Sequence, residues 1–220
     1  IIALPLIKQL RVNLIVFGAT GLVGKQLTEQ ALYTGNQVRA FGRNVFTTDY
    51  LQTDNLHRVQ GALFDAHEVY DAIRGCDAVL SSIGGGQDGT DKSRTLGMKN
   101  ILTQMQKAGV KRIIAIGDEC VLENAEGKML LDEEDYPREK MPLALEHKKA
   151  YELLTGSGLK WTFVCPARII DQGPTGHYTT AADHQPGSGV HSINSGDLAL
   201  FMLNELTKNE YIKRRVGISN

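Results

Sequence analysis

Cysteine is scarce in this chain of 220 residues: Cys76, Cys120 and Cys165 are the whole complement. An odd number without a C-x-x-C pair argues against a disulfide framework or a cysteine-bound zinc, so no metal site is expected. It suits a reducing compartment, and a cytoplasmic location is the expectation. Neither sign of charge is in excess, since 24 Lys and Arg face 25 Asp and Glu for a formal net charge of −1. That balance argues against a surface built for nucleic-acid phosphates or anionic lipid, and neither partner is expected. No apolar run approaches the roughly 18 to 20 residues of a bilayer-spanning helix. The opening stretch 1–7 is apolar but short, with no basic segment before it and no small-residue cleavage pattern after it, so a signal peptide is not expected. Internal repeats and low-complexity segments are also missing. Hydrophobic residues at 42% and charged residues at 22% exclude wholesale disorder, and the length fits one compact domain.

What is present is an alternation of short β-rich apolar runs with longer helical patterns. Residues 13–17 (NLIVF) read as a strand buried on both faces. After a glycine turn, residues 22–34 carry Val23, Leu27 and Ala31 every four positions, a helix stopped at Gly35. Strands are expected at 37–41, 56–60, 77–83, 111–117 and 160–165. Helices are expected at 66–74, 92–108 and 143–155, with Gly75 and Gly109 as stops. Strict alternation implies right-handed crossovers and a parallel sheet covered on both faces. The expected fold is therefore α/β, a Rossmann-like doubly wound sheet in a single domain over 1–220. Residues 11–170 would form its core, and 171–220 a loop region and closing helix. Two stretches break the rhythm. Residues 130–142 are charged, carry two prolines, and read as an exposed loop. Residues 171–195 are rich in glycine and proline and read as irregular, followed by a helix capped at or near Ser195. Long loops after parallel strands are where such sheets take ligands, so the second stretch is expected to form the substrate side of a cleft.

The most informative motif is Gly18-Ala19-Thr20-Gly21-Leu22-Val23-Gly24, between the first strand and first helix. Gly18 permits a tight exit from the strand, Gly21 lets the backbone approach a diphosphate, and Gly24 lets the helix pack closely on the sheet. The unpaired N–H groups of the first helical turn then face the phosphates. A plain glycine turn is the competing view, but the flanking strand and helix supply the context the motif requires. At the end of the second strand, an acidic residue would suit NAD and an arginine the 2′-phosphate of NADP. Val38-Arg39-Ala40-Phe41-Gly42-Arg43-Asn44 has no carboxylate before Asp49, so Arg43 favours NADPH; a surface ion pair is the alternative for it. Gly84-Gly85-Gly86, after the fourth strand, allows close backbone approach to the cofactor, against the simpler view of a flexible loop.

These residues resemble the atypical short-chain dehydrogenase/reductases, and most closely the biliverdin-IXβ reductase/flavin reductase group. The similar stretches, besides the glycine loop, are Gly75-Cys76-Asp77-Ala78-Val79, Lys99-Asn100-Ile101, Ser157-Gly158-Leu159-Lys160, Gly176-His177-Tyr178-Thr179 and the closing helix DLALFMLNEL. The resemblance implies NADPH as hydride donor and a flavin or linear tetrapyrrole as acceptor. Classical members reduce carbonyls with Ser, Tyr and Lys, the last two spaced Y-x-x-x-K. Tyr136 and Lys140 match the string, but the prolines around them make the match accidental. On the helix that should carry the pair, Lys148 sits where the family lysine belongs, and Ala144, four residues earlier, has no proton to give. Flavin reduction escapes that need, because stacking two flat rings at reacting distance is most of the task.

Other residues depart from the group. Asp118 stands where a serine is common. Beside the nicotinamide it would favour the positively charged oxidised ring by on the order of 3 kcal/mol at about 5 Å and an effective dielectric near 20, before desolvation. A solvated loop carboxylate is the alternative. Ala62 replaces an Asp that often contacts adenine, which leaves main-chain contact at Leu63. Pro166 and Ala167 occupy the segment whose backbone often borders the nicotinamide amide. Arg168 could pair with an acceptor's phosphate or propionate, or with a structural carboxylate. Tyr178 could stack on a flat acceptor, or simply pack. Cys165 and Trp161 read as core, and His147, among charged neighbours, as solvated. A monomer is the expectation. The rival class is a non-enzymatic NADP(H) sensor of the NmrA-like kind, and an epimerase or dehydratase ranks last because it needs the missing tyrosine.

Overall fold

The run Asn13–Phe17 is strand β1, and the burial of its last four residues shows why a continuous apolar stretch was needed there. Alternate side chains serve opposite faces: Leu14 and Val16 enter one buried cluster, Ile15 and Phe17 the other. A computed structural model describes residues 11–220 apart from 87, 89 and 188; the apolar opening 1–7 lies outside the described residues. The remaining strands are β2 (Gln37–Gly42), β3 (Leu56–Gln60), β4 (Ala78–Ser81), β5 (Arg112–Ile116), β6 (Lys160–Pro166), β7 (Arg168–Ile170), β8 (Thr179–Ala182), β9 (Ser192–Asn194) and β10 (Arg214–Ser219). The helices are α1 (Leu22–Tyr33), α2 (Ala66–Ile73), α3 (Ser93–Ala108), α4 (Met141–Gly156) and α5 (Ser195–Lys208).

Eight strands form one sheet in the order β3-β2-β1-β4-β5-β6-β10-β8, with β8 alone antiparallel, on β10. Helices α1 and α5 pack together over one face, where Leu27, Ala31, Leu198 and Met202 meet Val16, Leu80 and Val164. Helices α2, α3 and α4 cover the other, where Ile73, Ile101 and Leu154 share a cluster with Ile15, Val79 and Phe163. The α/β doubly wound expectation holds. The chain leaves β1 toward β2 and returns on β1's other side as β4, so the crevice of such a sheet opens between the carboxyl ends of these two strands.

The structure corrects the reading of the two irregular stretches. Within 171–195 lie β8 and β9, and β9 pairs in parallel with β7 while β8 closes the sheet edge on β10. Strand β10 itself went unread. It carries two arginines and a glycine, yet Arg215 is buried with its Nη1 on the Val121 carbonyl at 2.6 Å and its guanidinium 4.9 Å from the Tyr151 ring. Stretch 130–142 is only partly exposed: Leu131 is buried in a 3₁₀ turn, Tyr136 packs against the core, and Pro142 lies in the first turn of α4, which Pro tolerates.

Candidate functional site

The glycine loop is shaped by contacts that a side chain would break. Gly18 has φ +76°, and a Cβ there would stand 2.6 Å from the Ser82 carbonyl oxygen. A Cβ on Gly24 would meet the Gly18 carbonyl oxygen at 2.0 Å, so α1 sits against the strand exit as closely as its backbone allows. Ser82 ties the two sides of the crevice together, its Oγ donating to the carbonyls of Phe17 at 3.1 Å and Gly18 at 3.2 Å. Ala19 and Val23 turn their side chains into the core, and Thr20, Gly21 and Leu22 stay exposed. Gly21, the N-cap of α1, supplies no side chain to its first turn. The loop therefore presents main chain and the positive end of a helix to a ligand.

A cleft of about 610 Å³ runs from this loop along the carboxyl ends of the strands, lined by Gly18, Thr20, Gly21, Arg43, Leu63 and Gly84, among others. Six residues chosen from the sequence are thus brought to one wall. The volume falls in the range of small-molecule and cofactor sites. Arg43 stands exposed at the rim just past β2, and its carbonyl accepts from Gln60 Nε2 at 3.1 Å. Leu63 is pinned by α3: its carbonyl accepts from Asn100 Nδ2 at 2.9 Å and its side chain fills the space a Cβ on Gly97 would need. Asp65 is committed elsewhere, capping α2 through bonds from the His67 and Glu68 amides. It does not replace the aspartate missing at Ala62. Phe64, missed in the sequence, lines the same cleft at 59% exposure, an apolar ring open to a flat base.

The triple glycine is a tied turn and not a loose one. Arg94 donates from Nη1 to the Gly86 carbonyl at 3.0 Å and from Nη2 to the Gly85 carbonyl at 3.2 Å. Asp91 accepts from the Gly86 amide at 2.9 Å and from the Ser93 amide at 2.8 Å, and these bonds, with the Ser93 hydroxyl foremost, bring its carboxyl down to about 2. Neither residue was singled out from the sequence. Nothing local marks an arginine whose partners are carbonyls eight and nine residues back.

Beyond the cleft the chosen residues diverge. Asp118, half-buried after β5, caps the 3₁₀ turn Glu119–Val121 through a bond from the Cys120 amide at 2.9 Å. Pro166 is buried at the end of β6, and Ala167 donates its amide to the Ile218 carbonyl at 3.2 Å. Ala167 borders a narrow crevice with Glu119, Gln185, Val190 and His191. Arg168 is exposed and makes no ion pair among the described residues. Tyr178 packs edge-on against Phe201 at 5.9 Å between ring centres, and its hydroxyl accepts from Asn204 Nδ2. Its ring is thus engaged with α5, in the packing arrangement. Lys148 gives its amine to Asp132 at 3.0 Å, and Ala144 is buried with 2% exposure.

His147 corrects the sequence reading: it is buried, not solvated. Its neighbours Glu146, Lys148 and Lys149 look like a charged face, but Glu146 is itself buried against α3, accepting from Lys92 Nζ at 3.0 Å and Thr95 Oγ1 at 2.6 Å. Another carboxylate missed in the sequence organises the 171–178 segment. Asp197, fully buried in the first turn of α5, accepts from the amides of Thr175 and Gly176 at 2.7 Å each, and from Thr175 Oγ1, Asn194 and Asn220. Burial opposes its ionisation, but these donors hold its carboxyl below the usual range. Among the described residues no group of His, Cys, Asp and Glu could hold a metal ion, and no helix is long and apolar enough to cross a membrane.

Comparison with known proteins agrees with this geometry. A family model described as NAD(P)H-binding matches residues 18–209. A solved structure from Burkholderia pseudomallei, provisionally named an exported protein, is 30% identical with a TM-score of 0.81, over 95% of this chain and 100% of that one. One from Streptococcus pneumoniae TIGR4, provisionally named an NADH-flavin reductase, is 28% identical with a TM-score of 0.80, over 94% and 98%. One from Bacteroides thetaiotaomicron, provisionally named an epimerase, is 25% identical with a TM-score of 0.83, over 95% and 97%.

Proposed function

The chain belongs to this NAD(P)H-binding family, and from that premise we propose that it is an NADPH-dependent reductase of flavins or related flat conjugated acceptors, working in the cytoplasm. The observation that carries the reading is the pairing of a main-chain diphosphate cradle with a buried Ala144. The chain is equipped to hold a dinucleotide and lacks, one turn before Lys148, the hydroxyl that carbonyl chemistry would use. The flavin-reductase name of the Streptococcus relative supports the acceptor class. The cleft residues would suit the cofactor: the main chain of the Gly18 to Val23 loop, apart from the Gly21 amide that donates to the Gly18 carbonyl, would meet the diphosphate, Arg43 would offer a planar fork of donors to a 2′-phosphate, and Leu63 and Phe64 would border adenine. When bound, the cofactor supplies hydride. The protein's own work is to hold the two rings in register and exclude water, which converts an encounter into an effectively unimolecular step.

The test follows NADPH oxidation with FMN, riboflavin, biliverdin and a quinone, with NADH as control. Acceleration over buffer with at least one acceptor, and preference for NADPH, is expected. Tight NADPH binding without turnover would instead favour a redox sensor of the NmrA-like kind.

A further inference from the structure

Consecutive glycines leave a backbone freer than any other residues do, and fixing them costs correspondingly more conformational entropy. Gly84-Gly85-Gly86 follows β4 at the edge of the dinucleotide cleft and is exposed, so nothing in its own sequence holds one conformation. The hold comes from the start of α3. Arg94 lays its guanidinium across the turn, Nη2 donating to the Gly85 carbonyl at 3.2 Å and Nη1 to the Gly86 carbonyl at 3.0 Å. Asp91 Oδ2 accepts from the Gly86 amide at 2.9 Å, while Oδ1 is anchored by the Ser93 amide at 2.8 Å.

The peptide unit joining Gly85 to Gly86 is therefore held at both ends, its oxygen by Arg94 and its N–H by Asp91. It cannot flip without breaking a bond to each of two charged groups. Gly85 owes its identity to the same contacts. Its φ is not positive, but a Cβ there would stand 2.8 Å from Asp91 Oδ2 and 3.1 Å from Arg94 Nη1. The two adjacent carbonyls match the planar fork of a guanidinium, whereas a lysine would bring a single nitrogen. Arg94 Nε is buried without an acceptor, and buried donors left without a partner are rare enough to need a reason.

The cleft supplies one. Asp91 and Ser93 line it beside Gly84, while Arg94 stands behind the turn. Building on the reading of this cleft as the NADPH site, we propose that Arg94 is a positioning residue for the dinucleotide. With Asp91 it presets the Gly84–Gly86 turn as a rigid wall, so that binding does not have to order three glycines. Without the clamp the turn samples other conformations, and affinity falls by the fraction of molecules in which it is in place. The loss falls equally on NADPH and NADH, because the turn follows β4 and the residue placed to read the 2′-phosphate, Arg43, follows β2. An arginine acting only as positive charge for the diphosphate differs in one respect: lysine would replace it.

The test needs no acceptor. NADPH and NADH are titrated by fluorescence into the wild type, Arg94→Ala, Arg94→Lys and Gly85→Ala. Both Arg94 variants should bind each nucleotide about tenfold to hundredfold more weakly, by the same factor for the two. Gly85→Ala should weaken both about tenfold with its Tm nearly unchanged, since the atoms that must move are the ends of two side chains. By NMR of the cofactor-free protein, the Gly86 amide should exchange with water at least about ten times faster in all three variants. The Ser82 amide, bonded to the Phe17 carbonyl at 2.9 Å, should not change. Wild-type affinity in Arg94→Lys overturns the proposal in favour of charge alone, and a loss confined to NADPH overturns it in favour of a phosphate contact. Faster Gly86 exchange in Gly85→Ala with unchanged affinity also overturns it, because the order of the turn then does not matter to binding. If the wild type binds neither nucleotide, the cofactor reading fails and the assignment falls with it; a wild type that binds, with Arg94 variants that bind as well, sinks the assignment alone.

Discussion

Burial of His147 makes stability depend on pH in a way that can be isolated by difference. In the unfolded chain an imidazole titrates near 6.5, while in the folded protein this one is held down to about 4 by loss of water. Between those values the unfolded state binds a proton that the folded state refuses, so unfolding gains on folding as pH falls. The contribution is complete above about pH 6.5 and is lost progressively as pH drops toward 4. The slope is about 1.4 kcal/mol per pH unit and the total about 3 kcal/mol, a large share of a domain's net stability. Other groups titrate too, so the measurement is a comparison. Urea unfolding of the wild type and His147→Gln at pH 7.0, 5.5 and 4.5 yields two stability curves. The wild type's curve should fall more steeply, and the two should approach or cross at the acid end. Curves that stay parallel would refute the buried neutral imidazole.

Three other outcomes follow from the site. Gly24→Ala places a Cβ 2.0 Å from a main-chain oxygen that cannot step aside; stability should fall by at least about 2 kcal/mol, read as a lowered Tm. Arg43→Ala should weaken NADPH about tenfold to a hundredfold and leave NADH nearly unchanged, measured by fluorescence titration. Asp197→Asn keeps the shape but loses acceptor capacity for five donors, so backbone amides of 173–178 should exchange hydrogen faster than in the wild type while those of β1 do not.

The glycine loop was legible because its determinants are contiguous. A strand, three spaced glycines and an amphipathic helix are written into residues 13–34, and each glycine's reason can be stated from the geometry of one β–α junction. The C-terminal part of the sheet is written across the chain. Strand β10 looks polar, but Arg215 meets Glu123, Val121 and Tyr151, residues 92, 94 and 64 positions away, and only the assembled sheet puts them within reach. The same holds for β8, whose four residues have no strand signal apart from the neighbour that pairs with them.

His147 shows why local patterning misleads at such a place. Charged residues on a helix are read as a wet face, and that inference assumes that no second helix arrives to neutralise them. Here α3 does arrive, with Lys92 and Thr95 satisfying Glu146 and Arg94 approaching the imidazole. A buried carboxylate with two donors keeps its charge at little cost, and the imidazole next to it on α4 follows it into the interface at 7% exposure.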